Sequence, residues 1–155
     1  MGKKFLIFLV SIALIFIITA SGCSAGVDEE IISFADSAAE NVLIAIDDQN
    51  FDSYNKDMDD GMLKTVTEQY FTTLSTYIKE AIGEYEQGSK EYLSSNIQDE
   101  LYVVIFEADY TKETEKVAVV VVVSVTDEGI CQIAGLWFDS PKLREIEGIN
   151  DSEQN

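Results

Sequence analysis

The sequence predicts an α+β domain: N-terminal helices packed on a curved four-stranded antiparallel sheet. Three observations predict it. Apolar residues recur at spacings of three and four from Asp28 to Gly83, which is the period of a helix packed on one side. From Leu101 to Phe138 the pattern changes to alternation and continuous apolar runs, which is the signature of strands. The connections between those runs are short and rich in turn residues, as hairpins require.

The first helix starts near Asp28. Ile31, Ala35, Ala38, Val42 and Ala45/Ile46 form its stripe to about Asp47, and Asp28, Glu29 and Glu30 complement the dipole in its first turn. DQNFDSYNKDMDDGM then breaks the period. It reads as a short helical turn carrying Phe51 and Tyr54, followed by a loop with Met58 and Met62 as packing residues and Gly61 as punctuation. Thr65 with Glu68 three residues on predicts a capping box for a third helix, whose stripe is Tyr70/Phe71, Leu74, Tyr77/Ile78 and Ile82. Gly83 supplies its stop.

Residues 84 to 97 read as a weak, polar first strand. In the second, Tyr102, Val104, Phe106, Ala108 and Tyr110 share one face, opposite Leu101, Val103, Ile105, Glu107 and Asp109. After a TKETE turn, VAVVVVVSV (Val117 to Val125) is apolar on both faces and so must be a central strand with both faces at least partly covered. Its face away from the helices is too apolar to stay wet, which predicts homodimerisation sheet to sheet. Asp127-Glu128-Gly129 is a three-residue hairpin loop with glycine in the left-handed position. The last strand, Ile130 to Phe138, carries Gly135, where a bend is expected to aim Trp137, the single Trp of the chain, inward. Pro141, the single Pro, ends the ladder because it cannot donate to it.

The N-terminus gives an address. Lys3 and Lys4 precede an uncharged run from Phe5 to Ala20, then small residues lead to Cys23, the layout of a secretory signal. The run is shorter than the roughly 20 apolar residues of a membrane-spanning helix, which favours cleavage over an uncleaved anchor. Ala20-Ser21-Gly22-Cys23 resembles the lipobox of lipoproteins, with Ala20 where that motif most often has Leu. The resemblance implies lipidation of Cys23 and a lipid anchor in the cell membrane with the protein facing outward. The chain then divides into a lipoprotein signal peptide (1–22), a lipidated tether (23–27), a single α+β domain (28–143) and a polar C-terminal tail (144–155). Asn150-Asp151-Ser152 matches a glycosylation sequon only by coincidence of a short pattern.

Charge excludes some partners. The formal net charge is −19, and losing Lys3 and Lys4 with the signal makes it −21. Arg144 is the single Arg, so nucleic acid, whose phosphates need Lys and Arg, is not an expected partner. With two cysteines, one of them the lipidation candidate, stability must come from packing, and Cys131 reads as a small apolar strand residue.

Residue inventory narrows the chemistry. There is no His, which removes Ser-His-Asp and Cys-His catalysis and His-ligated metal sites. Gly83 to Lys90 spells GxxxxGSK, not the phosphate-cradling GxxxxGK[ST], and it runs from a helix into a strand, the reverse of that motif. In the acidic loop Asp57 to Gly61, an EF-hand with Gly61 at its sixth position would need ligands at Lys56 and Met58, which fails. A looser cation site from Asp57, Asp59 and Asp60 is left, against the plainer reading of a solvated acidic loop. No cofactor is expected.

Three segments carry a resemblance: ENVLIAIDDQNFDSYNKDMDDGM (Glu40 to Met62), AIGEY (Ala81 to Tyr85) and IAGLWFDSPKL (Ile133 to Leu143). Together they resemble a family of small exported proteins and lipoproteins catalogued as domain of unknown function 3887. The element order resembles the cone-shaped nuclear transport factor two-like, or cystatin-like, fold. The family resemblance implies no established activity. A fold of this kind also serves ketosteroid isomerase, which works without His, through Asp and Tyr groups. Tyr54, Tyr77, Tyr102 and Tyr110 with Glu107 or Asp109 are the ingredients here, though their spacing does not reproduce that site.

The leading expectation is a noncatalytic module, binding a small apolar ligand or an envelope protein. Phe51, Tyr54, Phe71, Tyr102, Phe106, Trp137 and Phe138 are its candidate pocket, set against the simpler reading that they fill the core. The alternative is a His-independent isomerase-like or hydrolase-like enzyme.

Overall fold

A computed structural model describes residues 26–145. The signal peptide 1–22, Cys23, the Asn150 sequon and the tail beyond residue 145 lie outside the described residues. Helix α1 spans Glu29–Asp47 and buries Ile31, Ala35, Ala38, Ala39, Val42, Leu43, Ala45 and Ile46, the face its period predicts. Four alanines on that face let the helix lie close to the sheet, where Val42 and Leu43 are fully buried. Gln49, at φ 54°, turns the chain, and Asn50 then accepts the amide of Ser53 at 3.0 Å to cap α2, Phe51–Asn55.

The loop expected after this turn is partly helical. Asp59 Oδ1 accepts the amide of Met62 at 2.8 Å and starts α3, Asp60–Thr65. The expected capping box is displaced as a result: Thr65 ends α3, and Thr67 Oγ1 caps α4, Glu68–Ala81, through the amide of Tyr70 at 3.2 Å. Glu68 therefore sits at the first helical position, too early to reach back to the cap. Phe71, Ser75 and Ile78 are the buried face of α4. Gly83, at φ 90°, turns the chain out of it, and a side chain there would collide with Thr111 Oγ1 and the Lys112 backbone.

Strands β1 (Glu91–Gln98), β2 (Leu101–Ala108), β3 (Val117–Val125) and β4 (Cys131–Asp139) form one antiparallel sheet in sequence order. The first strand begins at Glu91 rather than at residue 84. Residues 84 to 90 instead form a turn tied to α1 by the Tyr85 amide, which donates to Asp47 Oδ2 at 2.9 Å, and to the segment just after β2 by a bridge between Tyr85 and Tyr110. Asp99 and Glu100 are both left-handed, at φ 49° and 68°, as a two-residue β1–β2 hairpin loop demands. The β3–β4 loop is the expected one, closed by the Gly129 amide on the Thr126 carbonyl at 2.8 Å, with Gly129 at φ 80°.

The helices cover one face of this sheet over β2, β3 and β4, while Tyr92 and Ile97 of β1, on the same face, stay about half exposed. Val104, Phe106, Ala108, Val117, Val119, Val121, Val123 and Ile133 join α1, Phe71, Ile78 and Ile82 in a single core. Each fully buried Val or Phe contributes about 1.5–3 kcal/mol of transfer free energy, so this face carries most of the stability.

Strand β4 departs from the expected alternation. Val122 pairs with Gly135 but Val123 pairs with Ile133, so Ala134 is an extra residue, a β-bulge. One extra residue inverts side-chain parity beyond it. Cys131, Ile133, Leu136 and Phe138 all face the helices, and Gly135 and Trp137 face away. The expectation that Trp137 points inward is thus corrected: it lies on the outer face, 47 % exposed. Past β4, Ser140 Oγ accepts the Leu143 amide at 3.3 Å, and residues 141–145 make a helical turn that buries Leu143, with Pro141 at its first position.

Candidate functional site

The seven aromatic residues expected to line a pocket are divided by the sheet. Phe51, Tyr54 and Phe71 pack on one another in the helical layer, with ring centroids 5.6 Å and 4.8 Å apart from Phe71. Tyr102, Phe106 and Phe138 lie on the helix-facing side of the sheet, Phe106 fully buried and the other two half-buried. Trp137 is on the opposite face. Tyr54, Phe71 and Phe106 are core, and the seven do not meet around one cavity.

Two open grooves lie on the helical side. One, of about 410 Å³, is lined by Asp48, Gln49, Asn50, Phe51, Asp52 and Glu68. The other, of about 370 Å³, is lined by Thr72, Thr73, Thr76, Tyr77 and Glu80. Phe51 alone of the seven borders either. Among the described residues no group of three or more His, Cys, Asp or Glu is placed to hold a metal ion. Asp59 spends its carboxylate on the cap of α3, and the Asp57 carbonyl accepts the Ile133 amide at 2.7 Å.

The polar groups of the interior form a seam between α1, the 84–90 turn and β2. Lys90, its side chain 4 % exposed, bonds the carboxylate and the carbonyl of Asp36 and lies 4.7 Å above the Phe106 ring. Tyr85 donates to the Glu40 carboxylate at 3.0 Å. Burial and that carboxylate push the Tyr85 phenol up to about 12. Burial does the same to Tyr54, and it raises Tyr110 further, with the Asp47 and Tyr85 charges adding to it. Burial also raises Asp47, partly offset by the amide it accepts. The Tyr110 hydroxyl has no hydrogen-bond partner among the described residues.

The acids offered for isomerase-like chemistry lie elsewhere. Asp109 accepts from Lys116 Nζ at 2.8 Å, and Glu107 sits on the outer face of β2. Cys131 is half-buried, and burial raises its thiol pKa, with the Glu30 charge adding to the shift.

The outer face of the sheet has an organisation of its own. Its register gives four rows across the strands. One end is acidic: Glu91, Glu107 and Asp139 with Ala118. Two central rows follow, Ser94–Ile105–Val120–Trp137 and Asn96–Val103–Val122–Gly135. The far end is uncharged, with the polar Gln98, Ser124 and Gln132 beside Leu101. None of Val103, Ile105, Val120, Val122 and Trp137 belongs to the helix-side core. Gly135 provides the seat for the Trp137 ring, since a Cβ there would stand 2.7 Å from ring atom Cη2. The alternation of β2 and the double-sided apolarity of β3 make most of this patch legible in the sequence. Trp137 escapes that reading because nothing in CQIAGLWF marks Ala134 as the bulge.

No family model matches the chain, and no curated protein matches it in sequence.

Proposed function

We propose that this chain is a membrane-anchored extracytoplasmic lipoprotein of the exported family it resembles, tethered through lipid on Cys23. Its nuclear transport factor two-like domain acts as a noncatalytic interaction module whose working surface is the outer face of the sheet. One observation carries the reading: an uncharged apolar centre with a 47 % exposed Trp137 on a chain of net charge −19. Apolar surface of that kind, rimmed by polar residues, marks interaction sites. The small-ligand alternative has less support, because its seven aromatic residues are split between two sides of the sheet.

The test uses the full chain in intact cells with a membrane-impermeant maleimide, in a Cys131→Ser background. Glu128→Cys, on the exposed β3–β4 loop, should label from outside, and Val120→Cys should label at least tenfold more slowly. Equal labelling of the two would refute an occupied face. Failure of both to label until the cells are lysed would refute the outward orientation. Cys23→Ser should release the chain from the membrane fraction, and retention there would refute the lipid anchor.

A further inference from the structure

We infer that the free edge of β1 accepts an extended, basic segment of a partner protein as a fifth, antiparallel strand, with the apolar side chains of that segment laid on Tyr92 and Ile97. This surface lies at the edge and on the helix side of the sheet, apart from the outer face, and does not depend on what occupies that face.

The two edges of the sheet are treated differently. Along β4 the chain covers its own edge: Met58 bridges to Ile133, with the Ile133 amide donating to the Asp57 carbonyl at 2.7 Å and the Asp59 amide to the Ile133 carbonyl at 2.9 Å. Among the described residues β1 pairs with β2 alone. The two-residue loop Asp99–Glu100 makes Gln98 and Leu101 a hydrogen-bonded pair. The alternation of an antiparallel ladder then points the amides and carbonyls of Asn96 and Gln98 at β2, and those of Ser95 and Ile97 away from it. Open edges are ordinarily blunted by Lys, Pro, a bulge or a covering segment. The bulge at Leu93 is the one such device here, and it leaves Ser94 to Gln98 in regular register with no charge and no proline.

Side chains and charge name the occupant. In strand addition the main chain supplies affinity and alternate side chains supply specificity. Tyr92 and Ile97 lie on the helix-facing side about half exposed, and Tyr92 is held there by the Phe106 ring, 6.3 Å between centroids, and by its hydroxyl 2.8 Å from Ser95 Oγ. Apolar residues at every second position of an added strand would pack on this floor. Glu91 at one end of the strand, with Asp99 and Glu100 just past the other, is exposed, and neighbouring Lys90 spends its ammonium on Asp36 and Glu40. Lys or Arg on the added strand therefore meets carboxylates at both ends, whereas a second copy would bring a further −19 to the same edge.

The test titrates the full chain, in a neutral detergent, with a short fluorescent peptide that alternates Val with Lys and Thr, and follows backbone hydrogen exchange by NMR. Saturable binding is expected, with exchange of the Ser95 and Ile97 amides slowed at least tenfold. The same peptide N-methylated on its Val residues keeps its charge and side chains but loses the donors that would face β1, so it should bind at least tenfold more weakly. Equal binding of the two peptides would reduce the effect to charge attraction and overturn strand addition. Protection at β4 or on a helix instead of β1 would overturn the site. Protection of β1 that grows with protein concentration before any peptide is added would put a second copy there and overturn the basic partner. No binding at millimolar peptide would overturn the inference outright and leave the reading of the outer face standing.

Discussion

Val120 and Val121 are neighbours on β3, yet they live in different environments. Val121 is fully buried between the sheet and α1, while Val120, on the outer face, is half-buried and outside that core. The two faces are built from the same residue types and differ in what covers them. Antiparallel sheets with one free face ordinarily turn polar residues to water on that side. This sheet keeps Ile105, Val120, Val122 and Trp137 there. Burial under the helices accounts for the inner face, whereas on the outer face only Val122 is buried and Trp137 is 47 % exposed, which is why function is sought on the outer one.

The largest expected difference comes from placing the same charge on each side. Val121→Asp would bury an unpaired carboxylate in the core, at about 3–5 kcal/mol or more, a large share of the 5–15 kcal/mol that holds a domain of this size. Urea denaturation followed by circular dichroism should find it largely unfolded. Val120→Asp, one residue away, should cost about 1 kcal/mol, the scale of a strand-propensity change. Equal losses at the two sites would mean that the outer face is as sealed as the inner one within a single copy.

This contrast between faces was visible in the sequence up to one residue. Helix α1, the inner positions of β2 and the two-sided apolarity of β3 follow from their periods, because burial imposes those periods directly. Three features were not legible, each for a local reason. Helix α3 is a six-residue polar turn with no apolar stripe, fixed by the Asp59 cap rather than by burial. The capping residue of α4 is Thr67, and the spacing of Thr65 to Glu68 imitated a capping box that the end of α3 precludes. The bulge at Ala134 inverts the parity of β4, and in a strand that is apolar in both phases no alternation survives to reveal it. The bulge also separates Trp137 from the other six aromatic residues of the candidate pocket, since it puts the ring on the opposite face of the sheet. The outer patch itself was legible, since Val103, Ile105, Val120 and Val122 need only the parity of unbulged strands.

Glycines sharpen the comparison at a smaller scale. Gly83→Ala combines φ 90° with a Cβ 2.3 Å from Thr111 Oγ1 and 2.8 Å from the Lys112 amide nitrogen, and backbone cannot step aside cheaply. The expected loss is about 1–3 kcal/mol, read by thermal denaturation. Gly135→Ala meets the Trp137 ring at 2.7 Å, a side chain open to solvent that can swing away. Its cost should stay below about 1 kcal/mol, with a red shift of Trp137 emission as the ring leaves its seat. A Gly135→Ala variant as damaged as Gly83→Ala would show that the ring is held in place, and so that the outer face is more rigid than its exposure implies.

The smallest effects separate polar groups on the covered side. Tyr54, Tyr85 and Tyr110 all carry raised phenol pKa values, Tyr54 and Tyr85 up to about 12, against about 10 in an unfolded chain. A raised folded value means the stabilisation is complete below pH 10 and is lost as pH climbs through 12. In that window the unfolded chain releases up to three protons that the folded one keeps, so stability should fall by at most about 4 kcal/mol per pH unit, and circular dichroism should record alkaline unfolding. Tyr85 gives its hydroxyl to Glu40, so Tyr85→Phe should lose about 1 kcal/mol at neutral pH. Tyr110 gives its hydroxyl to nothing among the described residues, so Tyr110→Phe should gain about 1 kcal/mol by removing a buried unpaired group. It should also make the alkaline slope shallower by one proton, about 1.4 kcal/mol per unit. A destabilised Tyr110→Phe with an unchanged slope would mean that this hydroxyl is already satisfied and its proton already exposed, and that the covered side is more open to water than its packing indicates.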